Sequence, residues 1–163
     1  MKELSLNILD VAKNSVTAGA TRIEITVAET PERITITITD NGCGMTPEFV
    51  RQVTDPFTTT RTTRRVGMGL PLMKMEAQMS GGDLSIESQL GQGTTVISWF
   101  DPRNIDMPPL GDLTVLVTTP DFRGSRILDF IFYSSDAPSG GNTRWIPEKS
   151  GQSWVTFPSV SRR

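Results

Sequence analysis

Ile34-Thr35-Ile36-Thr37-Ile38-Thr39-Asp40-Asn41-Gly42-Cys43-Gly44-Met45 changes character halfway along. Six residues alternate isoleucine with threonine, the mark of a strand with one buried face. A carboxylate, an amide and two glycines then follow with no period. A carboxylate held at a strand end can accept a hydrogen bond from the exocyclic amine of adenine, and glycines there let backbone come against a flat base. The same letters also spell an Asn-Gly turn with Asp40 as its partner. The stretch therefore commits the chain to a sheet and leaves the use of the strand end open.

Upstream, residues 22–28 alternate with Ile23, Ile25 and Val27 on one face, and Thr30-Pro31-Glu32-Arg33 joins them to the first stretch as a hairpin. Before that, Leu4, Ile8, Val11, Ala12 and Val16 recur at helical spacing, so residues 4–18 read as an amphipathic helix closed by Gly19. Downstream, Pro47–Val53 reads as a short helix, and residues 56–65 have no period of either kind and read as a mobile loop. We expect residues 58–66 to be a lid that orders on a nucleotide. A second helix over 70–80 is favoured by Pro71 and closed by Gly81-Gly82. Strands over 83–88 and 94–100 flank Gln89-Leu90-Gly91-Gln92-Gly93. Helix, hairpin, glycine-rich stretch, helix, hairpin is the order of an α/β two-layer sandwich. Its sheet is mixed and mostly antiparallel, with helices on one face. Past Phe100 the texture turns proline-rich. There 113–118 and 127–133 read as strands that could extend the sheet, and the last thirty or so residues as a region of low regularity. The expected division is a main domain at 1–118 and an extension or sheet-completing tail at 119–163.

A chain of 163 residues is one ordinary domain in length, and 36% hydrophobic with 21% charged residues is a globular composition. A net charge of −2 and a pI near 5.2 provide no broad positive field for nucleic acid. Lys2, Glu3, Asp10 and Lys13 break up the start, which is not a signal peptide. No stretch approaches the roughly 18 apolar residues of a membrane span. The expectation is a cytoplasmic protein without membrane or nucleic-acid partners. Cys43 is the only cysteine, so no internal disulfide forms, and with no histidine every histidine-based site is excluded.

Four motifs carry chemistry. Asp10 and Asn14, four apart, project from one helical face, with Asn7 three residues before Asp10. That stripe taken alone is what a solvated face carries, and its sharper reading is a metal face. In the second case Asn14 offers a carbonyl oxygen to Mg2+ and Asp10 polarises a water or hydroxyl. Asp40, Gly42 and Gly44 form the strand-end motif. Gly67-Met68-Gly69-Leu70 leads straight into a helix, whose N-terminal amides favour anions, and Arg61, Arg64 and Arg65 precede it. It has neither the ending of a Walker loop nor the strand of a dinucleotide fingerprint. Gly91-Gln92-Gly93-Thr94-Thr95-Val96 is an ordinary hairpin turn taken alone.

In their order and spacing the four resemble the N box, the two glycine boxes and the terminal Gly-Thr strand of the gyrase, heat-shock chaperone, histidine kinase and MutL (GHKL) superfamily, over about residues 3–100. Asp10 to Asn14 with Ala18-Gly19-Ala20-Thr21-Arg22-Ile23-Glu24-Ile25 is similar to the MutL N-box region. Pro56-Phe57-Thr58-Thr59-Thr60-Arg61 and Gly67-Met68-Gly69-Leu70-Pro71-Leu72-Met73-Lys74 look like the histidine kinase F box and second glycine box. The resemblance implies the left-handed (Bergerat) ATP-binding fold, with ATP and Mg2+ as ligands. It implies Asp10 as the base, Asn14 on Mg2+ and Asp40 on adenine. Gly42 and Gly44 would lie along the base and its lid, and Thr95 in the water network beside Asp40. Thr59, Arg61, Gly67, Met68, Gly69 and Leu70 would contact the nucleotide, Gly67 and Gly69 at the phosphates.

In family members that turn over ATP the base is usually glutamate, so Asp10, one methylene shorter, implies slow turnover. A chain that begins almost at the N box and lacks histidine is expected not to be a self-sufficient histidine kinase. The resemblance leaves three roles. The first is a regulatory module of histidine-kinase or anti-sigma type acting on a partner protein, as a serine/threonine-type kinase or a switch. The others are a nucleotide sensor without chemistry and a weak ATPase of MutL type. Glu3-Leu4-Ser5-Leu6-Asn7-Ile8-Leu9-Asp10 also resembles small stand-alone ATP-binding proteins encoded beside hydrogenase and NADH-oxidoreductase subunits, which implies a redox or hydrogenase-associated partner.

Overall fold

A computed structural model describes residues 3–55, 69–122, 127–134, 142–148 and 151–157. In chain order the elements are helix α1 (Leu4–Thr17), strands β1 (Arg22–Glu29) and β2 (Ile34–Asp40), helices α2 (Pro47–Val53) and α3 (Gly69–Met79), and strands β3 (Asp83–Gln89) and β4 (Gly93–Phe100). Then come α4 (Thr114–Thr118), a 3-10 turn (Pro120–Phe122), and strands β5 (Ile127–Ser134), β6 (Asn142–Glu148) and β7 (Gly151–Phe157). The expected lid and the Gly67-Met68 pair lie outside the described residues.

The strands form one sheet in the order β3-β4-β2-β1-β5-β6-β7. Every neighbouring pair is antiparallel except β1 with β5, which is parallel. The sheet is therefore mixed and mostly antiparallel, as expected. Its register stacks Ile25 beside Ile38 and Ile38 beside Val96, all buried. The alternation of period two thus becomes one continuous apolar face. Helices α1 and α3 supply the other half of the core with Leu4, Ile8, Val11, Ala12, Leu70, Met73 and Ala77. Burying a side chain of this size contributes about 1.5–3 kcal/mol, so the two-layer packing dominates the stability.

Both ends of α1 are closed by chain that also shapes the rest of the molecule. At its C-terminus Gly19, at φ +76, lets its own N–H donate to the Val16 carbonyl while that of Ala20 reaches Ser15. This is a Schellman closure. At its N-terminus the Leu4 and Ser5 N–H groups donate to the Pro109 and Leu110 carbonyls, each at 2.9 Å. A segment more than 100 residues downstream thus satisfies donors that a helix start leaves orphaned.

Two expectations change here. Residues 113–118 read as a strand, but Thr114–Thr118 is helix α4. Its start is fixed by Asp112, whose Oδ1 accepts from the Thr114 N–H at 2.9 Å and its hydroxyl at 2.7 Å, and its Leu116 is fully buried. Packing against α1 overrides the β-branched composition. The last thirty residues, expected to have low regularity, hold β6 and β7 as an antiparallel hairpin added beyond β5. The expected strand at 127–133 is β5, laid along β1.

Candidate functional site

The C-terminal half of α1, the end of β2, the loop after it, α2 and the start of α3 enclose a cavity of about 380 Å³. That is within the range of small-molecule sites. Its walls are mostly apolar: Val11, Ala18, Met45, Phe49, Val53, Leu70 and Val96. Five side chains with polar oxygen or nitrogen atoms interrupt them, Asn14, Ser15, Thr17, Asp40 and Thr94. A largely apolar slot with few convergent polar groups suits a flat, partly polar ligand.

Asp40 is fixed from two sides. Its Oδ2 accepts from the Ser15 hydroxyl at 2.6 Å, and its Oδ1 from the Gly42 N–H at 2.9 Å. The first bond ties β2 to α1 and the second turns the chain back at the strand end. Asn41 secures the same corner, its Oδ1 accepting from the Thr21 and Arg22 N–H groups at 2.9 Å each. The Asn-Gly turn and the held carboxylate, two readings of one motif, are both present.

The glycines after Asp40 have separate reasons. A Cβ on Gly42 would come within 2.9 Å of the Ala18 Cβ, so this residue is small because α1 ends against it. Gly42 does not line the cavity. Gly44 does, at φ +67, and a Cβ there would run into the carbonyl of Gln89, the last residue of β3 before the β3–β4 turn. The loop and the turn are held together by the Gly91 N–H donating to the Cys43 carbonyl at 2.8 Å and the Met45 N–H to the Ser88 hydroxyl at 2.8 Å.

Along α1 the polar stripe faces α3. Asn7, 1% exposed, donates its Nδ2 to the Glu76 carboxylate while its Oδ1 has no partner. One further turn along, Asp10 is exposed and abuts Gly69, where a Cβ would lie 3.0 Å from the Asp10 Cβ. Asn14 lines the cavity with its Nδ2 buried and unpartnered. A donor left so normally costs about 1–3 kcal/mol, which marks the NH2 group as reserved for an acceptor oxygen of water or a ligand; a cation could be held only through the other atom of the amide, Oδ1. Among the described residues no three acidic, cysteine or histidine side chains converge to hold a metal. A cation at Asn14 would take its remaining oxygens from water and a bound ligand.

Of the residues singled out in the sequence, Asn14, Asp40, Gly44 and Leu70 line the cavity, and Asp10 and Gly69 meet beside it. Thr59, Arg61, Gly67 and Met68 lie outside the described residues. Thr95 faces away: its hydroxyl lies 3.3 Å from that of Thr39, on the opposite side of the sheet. Thr94 pairs with Asp40 in register and takes the place at the cavity. A shift of one residue on a strand exchanges faces, and buried Val96 two residues on carries the signal that selects Thr94. Ser15 also lines the cavity and carries no such signal, since in a helical pattern a buried serine looks like a small core residue.

Residues 1–104 match the family described as histidine kinase-, DNA gyrase B-, and HSP90-like ATPase. The chain is 34% identical over 102 residues to the sensor protein SrrB of Staphylococcus aureus, an overlap of 60% of this chain and 17% of that protein. It is 27% identical over 108 residues to an NtrY-like sensor histidine kinase of Rickettsia conorii, covering 66% of this chain and 18% of the relative. It thus spans less than a fifth of the length of these curated relatives. With this match, and the sheet and cavity above, the chain belongs to the histidine kinase-, DNA gyrase B- and HSP90-like ATPase family.

Proposed function

We propose that this module binds Mg-ATP and acts on a partner protein, by phosphate transfer or by nucleotide-dependent switching. The observation that carries the reading is the cavity with Asp40 pinned in its lining and the Asn14 Nδ2, a donor without a protein partner, open to a ligand oxygen there. Asp40 is the acceptor for the exocyclic amine of adenine, and Asn14, through its Oδ1, a ligand to Mg2+. The ion, when bound, neutralises charge on the phosphate oxygens. Asp10, exposed at the α1–α3 seam, is the group for taking a proton from a water or hydroxyl. Residues 1–118 form the ATP-binding unit on this reading and 119–163 complete its sheet. The protein works in the cytoplasm; among the described residues no helix is long and apolar enough to cross a membrane.

A second reading, a nucleotide sensor without chemistry, is favoured by Asp10 itself: it is short for a base and is not among the residues lining the cavity. A weak ATPase of MutL type fits less well with a net charge of −2. Incubation with γ-labelled ATP, with and without cell extract, separates the three. A labelled partner protein marks transfer, released phosphate without label marks an ATPase, and binding alone marks a sensor. If calorimetry finds no ATP binding with or without Mg2+, the proposal fails.

A further inference from the structure

We infer that Ser15 is a positioning residue that sets the selectivity of this site for a 6-amino purine, by locking the direction in which Asp40 accepts. The inference rests on the reading that the cavity holds adenine. Ser15 is 4% exposed, and its hydroxyl donates at 2.6 Å to one carboxylate oxygen of Asp40 while the Gly42 N–H holds the other at 2.9 Å. With one donor on each oxygen, the carboxylate cannot rotate without breaking a bond to a charged group, the stronger kind of hydrogen bond. The lone pairs left on Asp40 therefore have a fixed direction before any ligand arrives. Such an acceptor favours a base with an amine at that place and repels one that presents a carbonyl oxygen. Sites built to hydrogen-bond one group discriminate most when their own polar atoms cannot move away.

Ser15 also has a place in the fold that makes it more than a packing residue. It follows Asn14 on α1, and its bond is a side-chain link between α1 and the end of β2. Base recognition at Asp40 and the reserved amide of Asn14 are thereby held on one turn of helix. Alanine at 15 would fill the core almost as well, since only a buried hydroxyl is lost. The bond would then be missing, and Asp40 would be pinned through Oδ1 alone, free to swing.

The test compares wild type and Ser15→Ala by calorimetry with three triphosphates: ATP, the 6-oxo inosine nucleotide, and purine riboside triphosphate, which carries only hydrogen at position 6. The expected result is that Ser15→Ala weakens ATP about tenfold, the worth of one charge-assisted bond, and leaves the 6-hydrogen nucleotide within about twofold. The preference for ATP over the inosine nucleotide shrinks with it. Binding of the 6-hydrogen nucleotide reports that the variant's cavity is intact. Equal loss on all three nucleotides makes Ser15 merely structural and overturns the inference, as does no loss on any. A wild-type protein that binds none of the three overturns the ATP reading itself. One that binds ATP and the 6-hydrogen nucleotide equally overturns the role of Asp40, and Ser15 with it.

Discussion

Asp40→Asn is the most discriminating substitution, because the structure says which bonds survive it. The side chain keeps its shape and exchanges one oxygen for an NH2 group. The Gly42 N–H, 2.9 Å from Oδ1, can only donate, so the amide oxygen must stay on that side. The NH2 then falls where Oδ2 stood, 2.6 Å from the Ser15 oxygen, and the serine hydroxyl rotates to accept instead of donating. Every internal partner is retained, so stability should change by less than about 1 kcal/mol. Toward a bound adenine the result is different. The charged acceptor is gone and an N–H faces the amine, at a cost of about 1.5–3 kcal/mol, or roughly tenfold to a hundredfold in Kd. Asp40→Ala is the contrast: it strands both donors and should lower stability by about 1–3 kcal/mol as well. Calorimetry with ATP and GTP, paired with urea unfolding, reads both quantities. An Asp40→Asn protein that binds ATP as tightly as wild type would refute the assignment. Loss of binding in step with a large loss of stability would reduce Asp40 to a structural residue.

Four further outcomes follow. Asn14→Ala should abolish the gain in ATP affinity on adding Mg2+ and leave binding in EDTA unchanged. It should also raise stability by up to about 1 kcal/mol, because a buried unpartnered amide is removed; an unchanged Mg2+ increment would count against the metal role. Gly44→Ala forces a side chain to φ +67 and against the Gln89 carbonyl, and should cost at least about 1–2 kcal/mol in the urea midpoint together with ATP affinity. A variant of wild-type stability would mean the β3–β4 turn is not clamped there. A chain ending at residue 104 loses the carbonyls that cap α1 and the buried Leu116, Phe122 and Phe130, so it should fail to unfold cooperatively; sharp two-state unfolding would refute this. The Arg103 guanidinium beside Asp101 holds its carboxyl down from 3.8 to about 2. Its contribution is present above pH 3.8 and lost as pH falls toward 2, so Asp101→Asn should flatten that part of the acid limb, and an identical acid limb would show the pair to be inert.

Much of the fold was legible because burial imposes its period on the sequence. Where one face of a strand packs on helices, as along Ile34, Ile36 and Ile38, alternation has to appear. Where a helix packs on that face, Leu4, Ile8, Val11 and Ala12 have to recur at three and four. The parts that were not legible depend on partners distant in sequence. Helix α4 consists of residues that favour strands, and exists because Leu116 has a place against α1 and Asp112 is at hand to start the turn. Strands β6 and β7 are assembled by pairing outward from β5, with Pro147 near the hairpin end, and pairing of this kind leaves little periodic trace.

The site shows the same division at finer grain. Asp40 and Asn14 were readable because a carboxylate at a strand end and an amide on a helix face are unusual enough to ask for a reason. Gly42 was readable as glycine but not as to cause, since the atom it makes room for belongs to Ala18, on another element. The exchange of Thr95 for Thr94 has a sharper physical content. Two adjacent threonines are chemically identical, and only the phase of the strand separates them: Val96 buried inward puts Thr94 beside Asp40 and sends Thr95 to Thr39 on the far face. A role assigned by motif alone is therefore uncertain by one residue on a strand, and on a strand one residue is the difference between lining the cavity and leaving it. Phase is fixed by packing, so the hydroxyl that serves a ligand is found by asking which neighbour is buried. Thr94→Val should alter ATP affinity, whereas Thr95→Val should change only the cross-strand contact with Thr39, and calorimetry giving the opposite pattern would refute that phase argument.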